Sequence, residues 1–145
     1  MIGLLAWLGC VATPVPDGLV QALSGYHEVP SVEALTERFP DLGTHLPRLA
    51  LDPDTAPHVR TRAWVLLAAM PEGADRARAA VVDPELPPVM RYKVLRQLAE
   101  TDRAAAGQVL PQVWCAGSSV LRSGARRVAS TLAAAGRPVP RTACD

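Results

Sequence analysis

The chain has few aromatic residues: its 145 positions include three Trp, two Tyr and one Phe. A core must therefore be built mainly from Ala, Leu and Val, which favours closely packed helices over a β-sandwich, whose strands prefer aromatic and β-branched residues. No apolar run reaches the roughly 20 residues that a membrane-spanning helix needs, so we predict none. The composition, 49% apolar and 20% charged, excludes a disordered chain, and the length fits one domain.

Lysine is almost absent, because 14 of the 15 basic residues are Arg. This bias is typical of a GC-rich genome, so the abundance of Arg does not by itself indicate phosphate binding. The formal net charge of +1 excludes no class of partner. The charges are unevenly distributed, however, since residues 1–56 carry a net charge of −5 and residues 57–145 a net charge of +6. This asymmetry predicts a basic surface on the second part of the chain.

The N-terminus begins with an apolar run, Ile2 to Leu8, which a glycine and Cys10 follow. The Pro-containing stretch from Thr13 to Gly18 cannot continue a helix. This arrangement resembles a bacterial lipoprotein signal, although Trp7 replaces the usual Leu and no basic residue precedes the run. The resemblance implies a signal and Pro-rich tether over residues 1–17, lipidation of Cys10 and a lipid anchor on the periplasmic side of the cell envelope. The alternative is that the apolar residues cap a cytosolic core.

The chain contains an internal repeat with a period of 31 residues. The matching segments are Leu51-Asp52-Pro53 with Val82-Asp83-Pro84, and Val59-Arg60-x-Arg62-Ala63 with Met90-Arg91-x-Lys93-Val94 and Leu121-Arg122-x-x-Ala125. Because these sets share one period, we predict that each unit is a copy of one structural element.

Each unit is predicted to consist of two helices separated by a Pro-containing break. The first helices are predicted at 43–51, 74–82 and 103–115, and the second at 57–70, 88–100 and 118–135. Another pair, Gly18 to Tyr26 and Ser31 to Phe39, precedes them. Helical spacing of apolar residues predicts that the following side chains are buried: Ala63, Leu66, Leu67, Val94 and Leu98. The expected fold is all-α with seven or eight helices.

The segment from Leu49 to Ala63 resembles a HEAT or phycobilisome-lyase-type HEAT-like repeat, in which an Asp-Pro turn precedes a helix that opens with Val-Arg-x-x-Ala. The resemblance covers about residues 43 to 135 and is weakest in the third unit. It implies a right-handed α-solenoid of antiparallel helix pairs over residues 18–136, with the second helix of each pair on the concave side. It also implies a ladder of charge-assisted hydrogen bonds between neighbouring turns, formed by Asp52, Arg60, Asp83, Arg91 and Arg122.

Other polar and aromatic residues of the second helices lie off the apolar stripe. On a HEAT-like stack they would converge into a basic concave strip that faces a partner with an acidic surface. The alternative is an ordinary solvated helix face. We refer to the following residues as the predicted strip: Arg62, Trp64, Tyr92, Lys93, Arg96, Arg126 and Arg127.

A disulfide is predicted between Cys115 and Cys144, which form an even pair once Cys10 is acylated. Cys115 ends the third unit's first helix, and one further period reaches position 146, two residues beyond Cys144. The Pro-rich tail at 137–145 is therefore expected to cap the last repeat beside Cys115.

Catalysis has little support in the sequence. His27, His45 and His58 form no metal-ligand spacing, no Gly-rich phosphate loop is present, and Ser118 has no neighbouring base. We therefore expect no enzyme activity, metal or cofactor. The expected function is a protein-binding or scaffolding module, as a small envelope lipoprotein. The alternatives are a cytosolic HEAT-like adaptor and a weak nucleic-acid binder.

Overall fold

The protein is all-helical in the computed structural model, which describes residues 13–25, 28–141, 143 and 144. Cys10 and the rest of the lipoprotein-like segment up to residue 12 lie outside the described residues. Over the described ranges the prediction of an all-α fold without strands is confirmed. These described residues form eight α-helices: α1 (Asp17–Ser24), α2 (Val32–Arg38), α3 (Leu42–Leu51), α4 (Pro57–Ala69), α5 (Ala74–Val82), α6 (Pro88–Thr101), α7 (Arg103–Val113) and α8 (Ser119–Ala134).

The helix ends follow local chemistry. Pro57 and Pro88 occupy the first positions of α4 and α6, where the N–H that proline lacks would have had no helical partner. Ser31 and Ser118 cap α2 and α8 by accepting hydrogen bonds from backbone N–H groups three residues further on. The predicted helix bounds agree with these ends to within about two residues. The largest differences include the end of α7, which stops at Val113 because residues 114 and 115 form a turn.

Two rows of contacts organise the helices. α4 packs against α6 and α6 against α8, so the second helices of the three units are in consecutive contact. α5 packs against α7. In addition, α5 contacts α4 and α6, and α7 contacts α6 and α8. α3 and α1 both pack against α4. The central helix α6 therefore contacts four neighbours, namely α4, α5, α7 and α8.

One apolar cluster built from Leu, Val, Ala, Met and a single Trp runs through this arrangement. The side chains that the apolar spacing predicts to be buried are all buried, at 0% to 6% exposure, which confirms the register of the second helices: Ala63, Leu66, Leu67, Val94 and Leu98. Within the described ranges, each helix is either too short or too polar to cross a bilayer.

Two glycines allow close approach of neighbouring elements. A Cβ on Gly73 would overlap the carbonyl oxygen of Leu67, because the short 3-10 turn Pro71–Gly73 folds back on the end of α4. A Cβ on Gly124 would overlap the Tyr92 ring, with Cε2 at 2.6 Å. The missing side chain of Gly124 therefore lets Tyr92 of α6 pack directly on α8.

Both ends of the described chain contact the helices. A disulfide joins Cys115 and Cys144, whose Cα atoms are 5.3 Å apart, and Val139 of the tail packs against the apolar cluster. At the other end, Arg48 of α3 donates a hydrogen bond to the carbonyl oxygen of Thr13, and Val15 packs against the same cluster. Thr13 and Val15, at the end of the predicted tether, therefore contact the helices.

Candidate binding groove

A groove with a volume of about 480 Å³ lies between α4, α6 and the segment that leads into α2. We refer to this cavity as the groove. Its walls are formed by the following residues: Val29 to Glu33 before and within α2, Thr61, Arg62, Val65, Leu66 and Ala69 of α4, and Lys93, Arg96, Gln97 and Thr101 of α6.

The floor of the groove is apolar and one of its rims is basic. Leu66 is 6% exposed, and Val32 and Val65 are half-buried beside it. Lys93 and Arg96 are exposed, one turn apart on α6. A segment that lies in the groove would therefore meet apolar surface below it and two cationic side chains at its edge.

Glu33 gives the opposite wall one negative charge. Hydrogen bonds from its own backbone N–H and from the Ser31 hydroxyl lower the pKa of the Glu33 carboxyl. Glu33 therefore carries a negative charge at neutral pH on the α2 side of the groove. The groove thus has a negative charge on its α2 side and two positive charges on its α6 side.

Arg62 has a structural role that the sequence reasoning missed. Its Nη1 donates hydrogen bonds to the carbonyl oxygens of Leu23 and Gly25, each at 2.5 Å. These carbonyls lie at the end of α1, where the last C=O groups of a helix have no helical partner. Arg62 therefore attaches α1 to α4 through Nη1 and also lines the groove, and its contact with a partner stays a prediction.

Trp64 is buried at 4% exposure, so the expectation that it faces a partner is wrong. Its Nε1 has no hydrogen-bond partner among the described residues. The reason is that α4 contacts α1, α3, α5 and α6, so its buried arc is wider than the single stripe that the apolar spacing predicts. Trp64 lines a cavity together with Ala50 of α3 and Ala80 of α5.

The other members of the predicted strip do not all meet in the groove. Tyr92 is half-buried and lines a different cavity, together with Arg127 and Val120. Arg126 lies in a third cavity beside the C-terminal tail. The structure thus places Arg62, Lys93 and Arg96 at the groove, and the remaining four residues elsewhere.

The residues of the predicted ladder make their hydrogen bonds within each unit. Arg60 Nε donates to the Ala50 carbonyl oxygen at 3.4 Å, and Arg91 Nε donates to the Val81 carbonyl oxygen at 2.7 Å. Each pair spans ten residues, and the two pairs are one 31-residue period apart. In the third unit, Arg122 instead donates to the carbonyls that follow α7, those of Ala116 and Gly117, both at 2.7 Å.

The two aspartates of this set close their own turns. Asp52 accepts hydrogen bonds from the Asp54 N–H and the Thr55 hydroxyl, and Asp83 accepts one from the Glu85 N–H. No ion pair joins either carboxylate to an Arg in the described part of the chain. The expectation of a ladder between neighbouring turns is therefore wrong. Helix carbonyls inside each unit are closer acceptors for the Arg side chains than the next unit's carboxylate.

Several groove residues had no signal in the sequence. Val29, Val32 and Glu33 line the groove because the segment that leads into α2 lies across from α4 and α6. Thr101 reaches it because its hydroxyl donates to the Ala68 carbonyl oxygen at 2.7 Å, which joins the ends of α6 and α4.

The groove combines cationic side chains with an apolar floor. The cations can pair with carboxylates, and the apolar floor can accept aliphatic side chains. Among the described residues, no three His, Cys, Asp or Glu side chains cluster as a metal site requires. Comparison of the chain with protein-family models, with curated proteins and with solved structures finds no match.

Proposed function

We propose that this protein is a non-catalytic binding module that holds an acidic segment of a partner protein in the groove. The observation that carries the proposal is the position of the exposed Lys93 and Arg96 beside the apolar floor at Leu66. A segment with alternating carboxylate and aliphatic side chains would place its charges at α6 and its apolar groups on the floor. Such electrostatic complementarity selects partners and fixes their register.

We also propose that the helices form a HEAT-like, right-handed α-solenoid of antiparallel pairs. Support comes from the hydrogen bonds of Arg60 and Arg91 to the preceding helices, which recur at the period of the sequence repeat. The consecutive contacts of α4, α6 and α8 also support it. In this arrangement the groove lies on the side of the second helices, where a solenoid has its concave surface. An experimental structure that shows parallel helices within the pairs would contradict it.

Reversal of the two rim charges is expected to abolish most of the binding. The probe is a fluorescein-labelled peptide in which Glu alternates with Leu, and fluorescence anisotropy measures its affinity. We expect the Lys93→Glu/Arg96→Glu variant to bind it about tenfold more weakly or worse, because two attractive charges become repulsive. Added salt should weaken binding to the native protein. The melting temperature should hardly change, since substitutions at exposed positions usually cost less than about 0.5 kcal/mol.

Two matched variants make this test specific. Arg103→Glu reverses an exposed charge on α7, outside the groove, and should leave the affinity unchanged. Glu33→Gln removes the groove's own carboxylate and should strengthen binding. Equal affinity of the native protein and the double variant would contradict the proposal. Tighter binding of a single-stranded oligonucleotide than of the peptide would favour the nucleic-acid alternative.

We further propose that the protein is a lipoprotein of the bacterial cell envelope, anchored through Cys10. The support is the resemblance of the N-terminal segment to a lipoprotein signal together with the Cys115–Cys144 disulfide, because disulfides persist in oxidising compartments. The cytosolic adaptor is the alternative.

Metabolic labelling with palmitate tests the anchor in bacterial cells. The native chain should take up label and fractionate with membranes, whereas Cys10→Ser should do neither. The Cys115→Ser/Cys144→Ser variant is the control and should be labelled like the native chain, because it keeps Cys10. Equal labelling of Cys10→Ser and the native chain, or an unlabelled native chain, would contradict the anchor.

A further inference from the structure

A second cavity, with a volume of about 710 Å³, separates α8 from the C-terminal tail. We refer to this cavity as the tail cleft. One wall is the face of α8 that carries Ala129, Ser130 and Ala133, and the other is formed by Pro138, Val139 and Arg141 of the tail. The tail approaches the helices through Val139, which packs against the apolar cluster. The cleft stays open beside it because the side chains on this face of α8 are small.

Two cationic side chains line the tail cleft from opposite walls. Arg126 belongs to α8 and Arg141 to the tail, and both are exposed. Within residues 13–25, 28–141, 143 and 144, neither forms an ion pair, and no acidic side chain lines the cleft. Two guanidinium groups facing one cavity favour an anion between them, since Arg pairs with carboxylate and phosphate through charge-assisted hydrogen bonds.

Trp114 supplies an aromatic surface in the same cleft as the two cations. It occupies the position that Asp52 and Asp83 hold in the earlier units, one and two periods before it. The third unit therefore has a half-buried indole where the others have a turn-closing carboxylate. This replacement both removes a negative charge and adds a flat apolar wall against which an aromatic ring can pack.

We propose that the tail cleft binds a small aromatic anion, an aromatic ring that carries a phosphate or carboxylate group. The ring packs on Trp114, and the anionic group lies between Arg126 and Arg141. This site is separate from the groove and takes a different class of ligand. The Cys115–Cys144 disulfide holds the two sides of this site together. Cys115 directly follows Trp114, and Cys144 lies three residues after Arg141 in the tail.

Titration calorimetry with phenyl phosphate tests the site in the full chain. Phenyl phosphate should bind more tightly than inorganic phosphate or phenol, since only the complete probe meets both the ring surface and the cations. Arg126→Gln and Arg141→Gln should each weaken binding by about tenfold or more. Arg127→Gln is the matched control, because Arg127 neighbours Arg126 on α8 but lines the Tyr92 cavity. It should bind phenyl phosphate like the native protein.

The outcomes separate the parts of the proposal. Unchanged affinity in both the Arg126 and Arg141 variants would overturn the site, as would equal binding of phenyl phosphate and inorganic phosphate. The Cys115→Ser/Cys144→Ser variant should lose affinity while its helical circular dichroism stays native. Native affinity in that variant would overturn the positioning role of the disulfide. If that variant unfolds, Pro138→Gly and Pro140→Gly together loosen the tail with the disulfide intact, and should weaken binding for the same reason.

Discussion

Replacement of Leu98 by Ala is expected to lower the free energy of unfolding by about 3 to 5 kcal/mol. Leu98 is 0% exposed, and it lies on α6, which contacts α4, α5, α7 and α8. Removal of the side chain loses its burial and leaves a cavity. Four helices packed around α6 cannot all move to fill that cavity, so most of its cost should remain. Equilibrium denaturation in urea, followed by circular dichroism at 222 nm, measures the change.

The control for Leu98→Ala is the same substitution on the surface. Leu51, the last residue of α3, is 60% exposed, so Leu51→Ala should change the free energy of unfolding by less than about 0.5 kcal/mol. Both substitutions remove the same atoms. The two leucines differ in burial, since Leu98 is buried and Leu51 is exposed. Similar losses in both would contradict the described core, because they would show that Leu98 is no more buried than Leu51.

Addition of one methyl group at Gly73 is expected to destabilise the protein by about 3 kcal/mol or more. A Cβ at this position would overlap the Leu67 carbonyl oxygen and would lie 2.8 Å from the Leu67 carbonyl carbon. These are backbone atoms of α4, so relief requires the turn between α4 and α5 to open. The backbone of Gly73 has φ −92° and ψ −11°, which any residue can adopt, and the cost of Gly73→Ala is therefore steric.

Gly107→Ala is the matched control and should act in the opposite direction. Gly107 lies inside α7, and the nearest atom to its Cβ would be Val139 Cγ2 at 3.9 Å, an ordinary contact distance. Ala is favoured over Gly inside a helix by roughly 0.5 to 1 kcal/mol, so this variant should melt at a higher temperature than the native protein. If Gly73→Ala melts at or above the native temperature, the close approach of the turn to Leu67 is wrong.

The positions of the helices were predictable because their signals are local. Proline at the first position of α4 and α6 marks where each begins, and the apolar spacing within α4 and α6 identifies Ala63, Leu67 and Leu98 as core residues. The 31-residue period then extends this reasoning from one unit to the next. These signals need only residues within one helix or turn, so they are readable without knowing which helices touch.

The environment of the polar and aromatic side chains depended instead on which helices pack together. Trp64 lies off the predicted stripe of α4 and is nevertheless buried, since α4 has neighbours on several sides. Arg62 and Lys93 occupy equivalent positions in the repeat, yet Arg62 bonds the carbonyls at the end of α1 whereas Lys93 is exposed at the groove. Periodicity shows which side of a helix is apolar. How far burial extends around a helix depends on the number and direction of the helices packed against it. Contacts between residues distant in the chain determine which helices those are.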